Sequence, residues 1–511
     1  MKRLTDSCER YPVLWFAAWL PAGIAIVCGG GTLRAQTPAC GASVASSRDP
    51  VGTTTPAPTS HFSVHPSRRY FQDASGKPVF LLGYYTWASV DPSTTVGWPT
   101  RYADMMNEGA AYKLNYIRIS LGINKRVNNP TPFSYAGGKA DLDQTDATFW
   151  SGLRYHLDLA RDKGFFAHVA VYEGVTLRGS LDYQWPGSFW NPVNQARTFY
   201  PDVDLDHDNN IDEPDNFYRT ADFTAAAGIG KYQRKIVERA ILEMRNYPNA
   251  FFEIGNELFG SDSTWNRAVY DFIKARTNHA VTQNHGGIAS QVDGYSVHES
   301  NTSLALKGSL PSLVGRGYPA WEDPDGPDLK FAGADENRRA AWYSFAGGGA
   351  GYAGFTTELN RGVFNTTQTG YYKNLMDFIE ESGVRFWEMT PQHSLVSGGI
   401  VENSVLAETN SQYVVYVRDD ASVTLDLAGL TRAATYRHYC PKTGAWGTRA
   451  PITGGGARTF GRPTGAEDWV VFIQVDDTPW PTPEPEPEPT RGAGGGLGPA
   501  VWRGAPPLSP R

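Results

Sequence analysis

The amino-acid sequence predicts a parallel (β/α)8 barrel, a TIM barrel, followed by a small antiparallel β-sandwich. Three observations predict it. Short apolar runs alternate with amphipathic stretches from about residue 70 to residue 390. Polar and charged residues stand directly at the ends of several of those runs. Beyond Gln392 the apolar residues change to a period of two, broken by turn residues.

The elements follow in order. "RRYFQDASGKPVFLLGYYTW" reads as a hairpin turning at Ser75-Gly76 that leads into a buried strand over 79–83. "RYADMMNEGAAYKL" reads as a helix and "NYIRIS" as the second strand. "TFWSGLRYHLDLARDKG" has apolar residues at helical spacing and stops at Gly164, a C-cap signal. "FFAHVAVYEG" is the third strand, and a long insertion over 174–228 follows it. The helix "KYQRKIVERAILEMRNYP" stops before Pro248, and "AFFEIGNELFG" is the fourth strand, breaking into Gly255, Asn256 and Glu257. After the helix "TWNRAVYDFIKARTNHAV" come "GGIASQ" as fifth strand, "GYSVHE" as sixth and "DLKFAGADE" as seventh. "GVRFWEMT" is the eighth, after the helix "GYYKNLMDFIEES". "YVVYVRD", "SVTLDL", "ATYRHYCPKTGAW" and "DWVVFIQV" then build the sandwich, a sheet domain expected to pack on the barrel.

The ends read differently. Residues 1–35 have a positive start, an apolar run broken by Pro21 and small Ala35 before Gln36, which reads as a signal peptide. The run is too short and broken for a membrane span, so the expected location is secreted or periplasmic. Lipidation at Cys28 is disfavoured because Val27 before it is larger than the usual small residue. Residues 36–60 are a Ser/Thr/Pro linker, 61–392 the barrel, 393–477 the sandwich and 478–511 a Pro/Glu- and Gly-rich tail. After cleavage only Cys40 and Cys440 remain; they form no zinc site, and their pairing stays open. Net charge is −7 with no basic patch, which argues against nucleic acid. Aromatic residues reach 13% of the chain, which suits a protein that stacks on sugar rings. Nothing indicates the oligomeric state.

In a parallel barrel the chemistry gathers at the C-terminal ends of the strands. The expected mouth holds Glu257 from strand four and Asp335 or Glu336 from strand seven. Arg118 comes from strand two, His298 from strand six and Trp387 from strand eight. Two carboxylates across a mouth are what hydrolysis of a glycosidic bond needs. One protonates the leaving oxygen and the other attacks the anomeric carbon. A cation such as Arg118 keeps the attacking group ionised. The Asn256 amide can hydrogen-bond a sugar 2-hydroxyl, and Trp387 can serve as a sugar platform. "HESNT" at His298 lacks the second His of a metalloprotease helix.

"EIGNE" after a strand, a carboxylate at strand seven, a His at strand six and a Trp at strand eight resemble the clan A glycoside hydrolases. These are the cellulase-like retaining barrels, and the resemblance covers about residues 70–392. It implies Glu257 as acid/base and Glu336 as nucleophile, with Arg118, Asn256, His298 and Trp387 binding substrate. The segment "ENRRAAWYSFAGGGAGYAG" also looks like the apiosidase-like barrels, from which Asn-Glu at strand four is a departure, so the exact family stays open. The expected function is a secreted, retaining glycosidase acting on a polysaccharide or oligosaccharide. The competing readings are a non-catalytic carbohydrate-binding protein and a calcium-dependent adhesion protein on the same scaffold.

One motif stands apart. "DLDHDNNIDEPD" places Asp204, Asp206, Asp208, Asn210, Asp212 and Asp215 at the spacing of an EF-hand-type calcium loop. Asn209 replaces the usual Gly, and Asp215 the usual Glu. The expectation is a structural Ca2+ that pins the insertion beside the mouth, with no cofactor for catalysis.

Overall fold

The computed structural model describes residues 60–84, 88, 90–92, 102–122, 130–177, 184–200, 217–258, 260–284, 291–297, 320–322, 333–354, 365–397 and 403–476. The signal peptide, nearly all of the linker, the tail, His298 and the whole calcium-loop motif lie outside the described residues.

Eight parallel strands close into a barrel. They are β1 (Leu81–Tyr84), β2 (Tyr116–Ser120), β3 (Phe166–Glu173), β4 (Ala250–Asn256), β5 (Val281–Asn284), β6 (Gly294–Val297), β7 (Ala320–Glu322) and β8 (Gly351–Gly354). Each pairs with the next, and β8 pairs back on β1 from Gly351↔Leu81 to Gly354↔Tyr84. The helices between them are α1 (Tyr102–Ala110), α2 (Ala147–Lys163), α3 (Ile229–Met244), α4 (Ser263–Lys274), α5 (Ala334–Ala346) and α6 (Thr366–Ser382). Local chemistry sets their ends. Asp146 caps α2 by accepting from the Phe149 N–H at 2.8 Å, and Gly164 ends it at φ 75°. Asp262 does the same for α4.

Three expected strands are placed differently. The fifth is "VTQN" (Val281–Asn284), not "GGIASQ", of which only Gln291 is among the described residues. The seventh is the three residues Ala320–Glu322, and Asp335 and Glu336 belong instead to the first turn of α5. The eighth is the glycine-bounded "GYAG"; "GVRFWEMT" forms a 3-10 turn at Phe386–Glu388 and the edge Thr390–Pro391 of a C-terminal sheet. Glycine explains the eighth strand. A Cβ on Gly351 would lie 2.4 Å from the Leu81 carbonyl, and one on Gly354 would lie 2.0 Å from the Tyr372 hydroxyl. The barrel closes only where the side chains are missing.

A small sheet of Ser63–Val64, Phe71–Gln72 and Pro78–Val79 caps the opposite end. Its turn is the expected one: Asp73 accepts from the N–H groups of Ser75 and Lys77, and Gly76 takes φ 89°. Phe62 stacks on Phe71 and meets Phe166 and Phe251, at the starts of β3 and β4. The N-terminal end of the barrel is thereby sealed, so access is from the C-terminal ends.

Two antiparallel sheets follow the barrel. The larger contains β9 (Ser404–Glu408), β10 (Gln412–Val417), β12 (Ala434–Cys440) and β14 (Trp469–Val475); the smaller contains β11 (Ser422–Asp426) and β13 (Ala457–Gly461). Val405, Val415, Leu425, Trp469 and Val471 lie in the core that the two sheets share. The alternate residues Leu406, Val414, Tyr416, Val470 and Phe472 belong to the barrel's core cluster. Tyr416 stacks on Trp342 of α5, and Phe472 meets Phe378 of α6. The larger sheet is thus buried on both faces.

Arg338 of α5 locks that contact. Its fully buried guanidinium donates to Asp468 through Nε and Nη2 and also reaches Asp335 and Glu467. Tyr416 donates to Asp468 Oδ2 at 3.0 Å. Removing one partner of such a pair strands the other charge in the interior. We expect Arg338→Ala to lower unfolding stability by about 3–5 kcal/mol, measured by urea titration. Arg267→Ala, at a solvent-screened ion pair on α4, should leave the same titration midpoint nearly unchanged.

Candidate active site

The strand ends at the open mouth are built by close backbone packing. A Cβ on Gly174 would lie 2.1 Å from the Glu257 carbonyl, and one on Gly122 would lie 2.6 Å from the Glu173 nitrogen. Glycine at both positions lets the ends of β2, β3 and β4 draw together. Glu257 follows β4 and takes φ 48°, the left-handed region. That conformation costs a residue with a Cβ roughly 1–2 kcal/mol and is held from outside. The Glu257 N–H donates to Asn284 Oδ1 of β5 at 3.0 Å, and Asn284 in turn donates to Ser296 Oγ of β6 at 2.8 Å. A strained, 8% exposed carboxyl at a strand end is a candidate functional position.

Below Glu257 lies a buried polar network. Arg118 of β2 donates to Glu253 of β4 through Nε at 2.8 Å and also through Nη2. Strands two and four are not neighbours, so these side chains meet inside the barrel across β3. The same Nη2 donates to Asn256 Oδ1 at 3.0 Å. Asn256 Nδ2 donates to Glu173 Oε1 at 2.6 Å, and Ser120 Oγ donates to Glu173 Oε2 at 3.2 Å. His168 of β3 completes the layer. Its Nδ1 lies 2.8 Å from the Tyr116 hydroxyl, its Nε2 2.8 Å from Thr282 Oγ1 and 3.2 Å from Glu253. Thr282 gives its own proton to the Phe252 carbonyl, so Nε2 carries the imidazole proton and Nδ1 accepts from Tyr116.

Burial, seconded by the Arg118 charge, holds His168 well below its ordinary pKa, so it is neutral. Burial pushes Glu173 up to about 7, against the opposing pull of its Asn256 hydrogen bond and of Arg118. A buried carboxyl that titrates near neutrality is characteristic of active sites.

The sequence-derived set divides on this geometry. Arg118, Asn256 and Glu257 come together as expected, although Arg118 is tied to Glu253 as well as facing the mouth. Glu336 does not join them. It is half-buried on α5 and paired with Arg339 and with Arg418 of the larger C-terminal sheet. Asp335, the alternative, pairs with Arg338. Trp387 sits at the sealed end, where Arg69 of the capping sheet donates to its carbonyl at 2.9 Å. Sequence reasoning passed over Glu173, Glu253 and His168. Glu173 had a readable signal, since it ends the strand "FFAHVAVYEG" as Glu257 follows "AFFEIGN". Glu322, the last residue of β7, had one too.

Comparison of the whole structure gives its relatives. A glycoside hydrolase superposes with TM-score 0.60 at 14% identity, covering 82% of this chain and 98% of that one. The fold is that of the glycoside hydrolase barrels. A family 5 glycoside hydrolase from Bacteroides vulgatus superposes with TM-score 0.57 at 14% identity, over 82% of this chain and 94% of the other. No family model matches the sequence, and no curated protein matches it. Among the described residues no helix is long and apolar enough to cross a membrane, and no cluster of metal-ligating side chains is present.

Glu173 supplies a stability prediction. Its folded proton affinity, about 7, lies above the ordinary 4.5, so its contribution is complete below pH 4.5 and is lost as pH rises through 7. Wild type should therefore lose about 3 kcal/mol relative to Glu173→Gln between these limits. Urea titrations of both proteins at a series of pH values check this; parallel curves would contradict it.

Proposed function

We propose that this protein is a secreted glycoside hydrolase that cleaves O-glycosidic bonds of a polysaccharide or oligosaccharide with retention of configuration. The observation that carries the reading is the Asn256-Glu257 pair, held in a strained backbone at the end of β4 in a barrel of glycoside hydrolase fold. Glu257 is the acid/base. The nucleophile is Glu322, because it ends β7 and so belongs to the open rim, whereas Glu336 is committed to Arg339 and Arg418.

In the first step a Glu322 carboxylate oxygen bonds to the anomeric carbon. The bond to the leaving oxygen breaks, and Glu257 gives that oxygen its proton. In the second step water attacks the anomeric carbon and gives a proton to Glu257, and the Glu322 oxygen leaves. Asn256 serves the sugar hydroxyl beside the reacting carbon. The C-terminal sheets act as an accessory β-sandwich that buttresses α5 and α6. The loop Asp204–Asp215 binds a structural calcium ion through Asp204, Asp206, Asp208, Asn210, Asp212 and Asp215.

Screening the secreted protein on plant, algal and bacterial polysaccharides for released reducing sugar tests the activity. Glu257→Gln should cost about a thousandfold in kcat/KM on substrates with poor leaving groups. Glu322→Gln should abolish turnover on all substrates, while Glu336→Gln keeps it. Loss with Glu336→Gln and retention with Glu322→Gln would reverse the nucleophile assignment. NMR of the first-formed anomer reports retention or inversion.

Calcium has its own check. A chelator should lower the melting midpoint of wild type, and added calcium should restore it. Asp208→Ala should melt low and respond to neither. An unchanged wild-type midpoint would exclude a stabilising ion.

A further inference from the structure

The proposed mechanism uses Asn256 and Glu257 but gives no role to Glu173, a buried ionisable group at the mouth. Glu173 ends β3, is 3% exposed and touches both neighbouring strands. Its surroundings are shaped for it. Gly122 and Gly174 flank it from β2 and from its own chain, each where a Cβ would strike backbone. Oε1 accepts from Asn256 and, at 3.4 Å, from the Val175 N–H, and Oε2 accepts from Ser120.

We infer that Glu173 is a positioning residue, which grips the amide end of Asn256 while Arg118 grips the oxygen end, and so fixes the orientation in which Asn256 meets a sugar hydroxyl. The inference rests on the glycosidase reading of this mouth. Chemistry decides the orientation. A guanidinium only donates, so Asn256 Oδ1 must face Arg118, and Nδ2 then faces Glu173 Oε1, which can accept whether or not the carboxyl is protonated. A flipped amide would oppose donor to donor at Arg118. Either partner alone fixes only one end of the amide, whose last torsion has a broad preference. Both partners together hold it.

Among the described residues the charged and titratable neighbours of Glu173 are few. Arg118 and Ser120 lie on β2, with Tyr102 of α1 donating toward neither oxygen but accepting from the Ser120 N–H. His168 is on its own strand and neutral. Glu253 and Glu257 belong to the β4 side, and Glu253 already compensates Arg118. Glu173 is followed directly by Gly174, which packs on the Glu257 carbonyl, so ionising Glu173 adds negative charge on the Glu257 side of the mouth, which favours the protonated form of Glu257.

Kinetics and infrared spectroscopy test the inference together. Glu173→Ala should lower kcat/KM about tenfold to thirtyfold, the loss of one well-placed hydrogen bond. The loss should fall mainly in kcat, since the sugar contact strengthens in the transition state. Glu173→Gln, which can still accept from Asn256 and donate to Ser120, should recover most of that loss at pH 5.5. Its alkaline limb should lie at lower pH than wild type's, because the charge on the Glu257 side of the mouth is gone. A residue that only filled space would leave that limb in place.

The infrared measurement needs no turnover. The protonated carboxyl band missing from Glu173→Gln identifies Glu173 in wild type, and Asn256→Ala should move its titration to higher pH by removing a hydrogen bond that favours the charged form. An unmoved midpoint overturns the grip, as does an alkaline limb shared by wild type and Glu173→Gln. Should wild type cleave no glycan while Asn256→Ala still shifts the band, the glycosidase reading falls and the Glu173–Asn256 coupling stands. Melting curves show whether each variant is folded.

Discussion

The site depends on an ion pair inside the barrel. Arg118 and Glu253 are 2% and 0% exposed, and they join strands two and four across strand three. Taking both charges out of water costs several kcal/mol each, which their attraction repays only in good geometry. A pair of apolar residues would stabilise the barrel as well. What an apolar pair cannot do is present a guanidinium edge to Asn256. The pair is best understood as the foundation of the mouth: Glu253 fixes Arg118, Arg118 and Glu173 fix Asn256, and Asn256 leads directly into Glu257.

Much of this was legible in the sequence, and the reasons are specific. The strands "NYIRIS", "FFAHVAVYEG" and "AFFEIGN" are continuous apolar runs because parallel strands are buried on both faces. Helices such as Ala147–Lys163 carry both a cap and a stop in their sequence. Glu257 was legible because a carboxyl and an amide directly after a buried run are hard to explain as core. The larger C-terminal sheet was legible through its period of two, though its apolar alternate face hid the fact that it packs on α5 and α6.

The errors share a cause. Strands seven and eight have three and four residues, too few to show any period, and glycine supplies two of the four in β8. A reader following apolar runs passes over "AWE" and "GYAG" and takes "DLKFAGADE" and "GVRFWEMT" in their place. The misplacement carried Glu336 and Trp387 with it. Both are real features, but of a different interface. Glu336 helps bind α5 to the C-terminal sheet, and Trp387 helps hold the capping sheet that seals the barrel. Glu253 and His168 were invisible for another reason: a charged residue in a buried run gives no hint of which strand will supply its partner.

The two perturbed groups of the network act in opposite directions, and this bounds the conditions in which the mouth can work. His168 is held neutral, so the unfolded chain binds a proton that the folded chain refuses, and stability falls as pH drops below the ordinary histidine value of 6.5. Glu173 binds its proton more tightly when folded, and its contribution falls as pH rises toward 7. Between about 4.5 and 6.5 the two slopes oppose each other, so the folded mouth is buffered against acid change over that interval. The proposed chemistry needs one carboxyl protonated and the other ionised at the same pH. A mouth whose folded stability changes little with pH over this interval leaves that division to the two reacting carboxyls themselves.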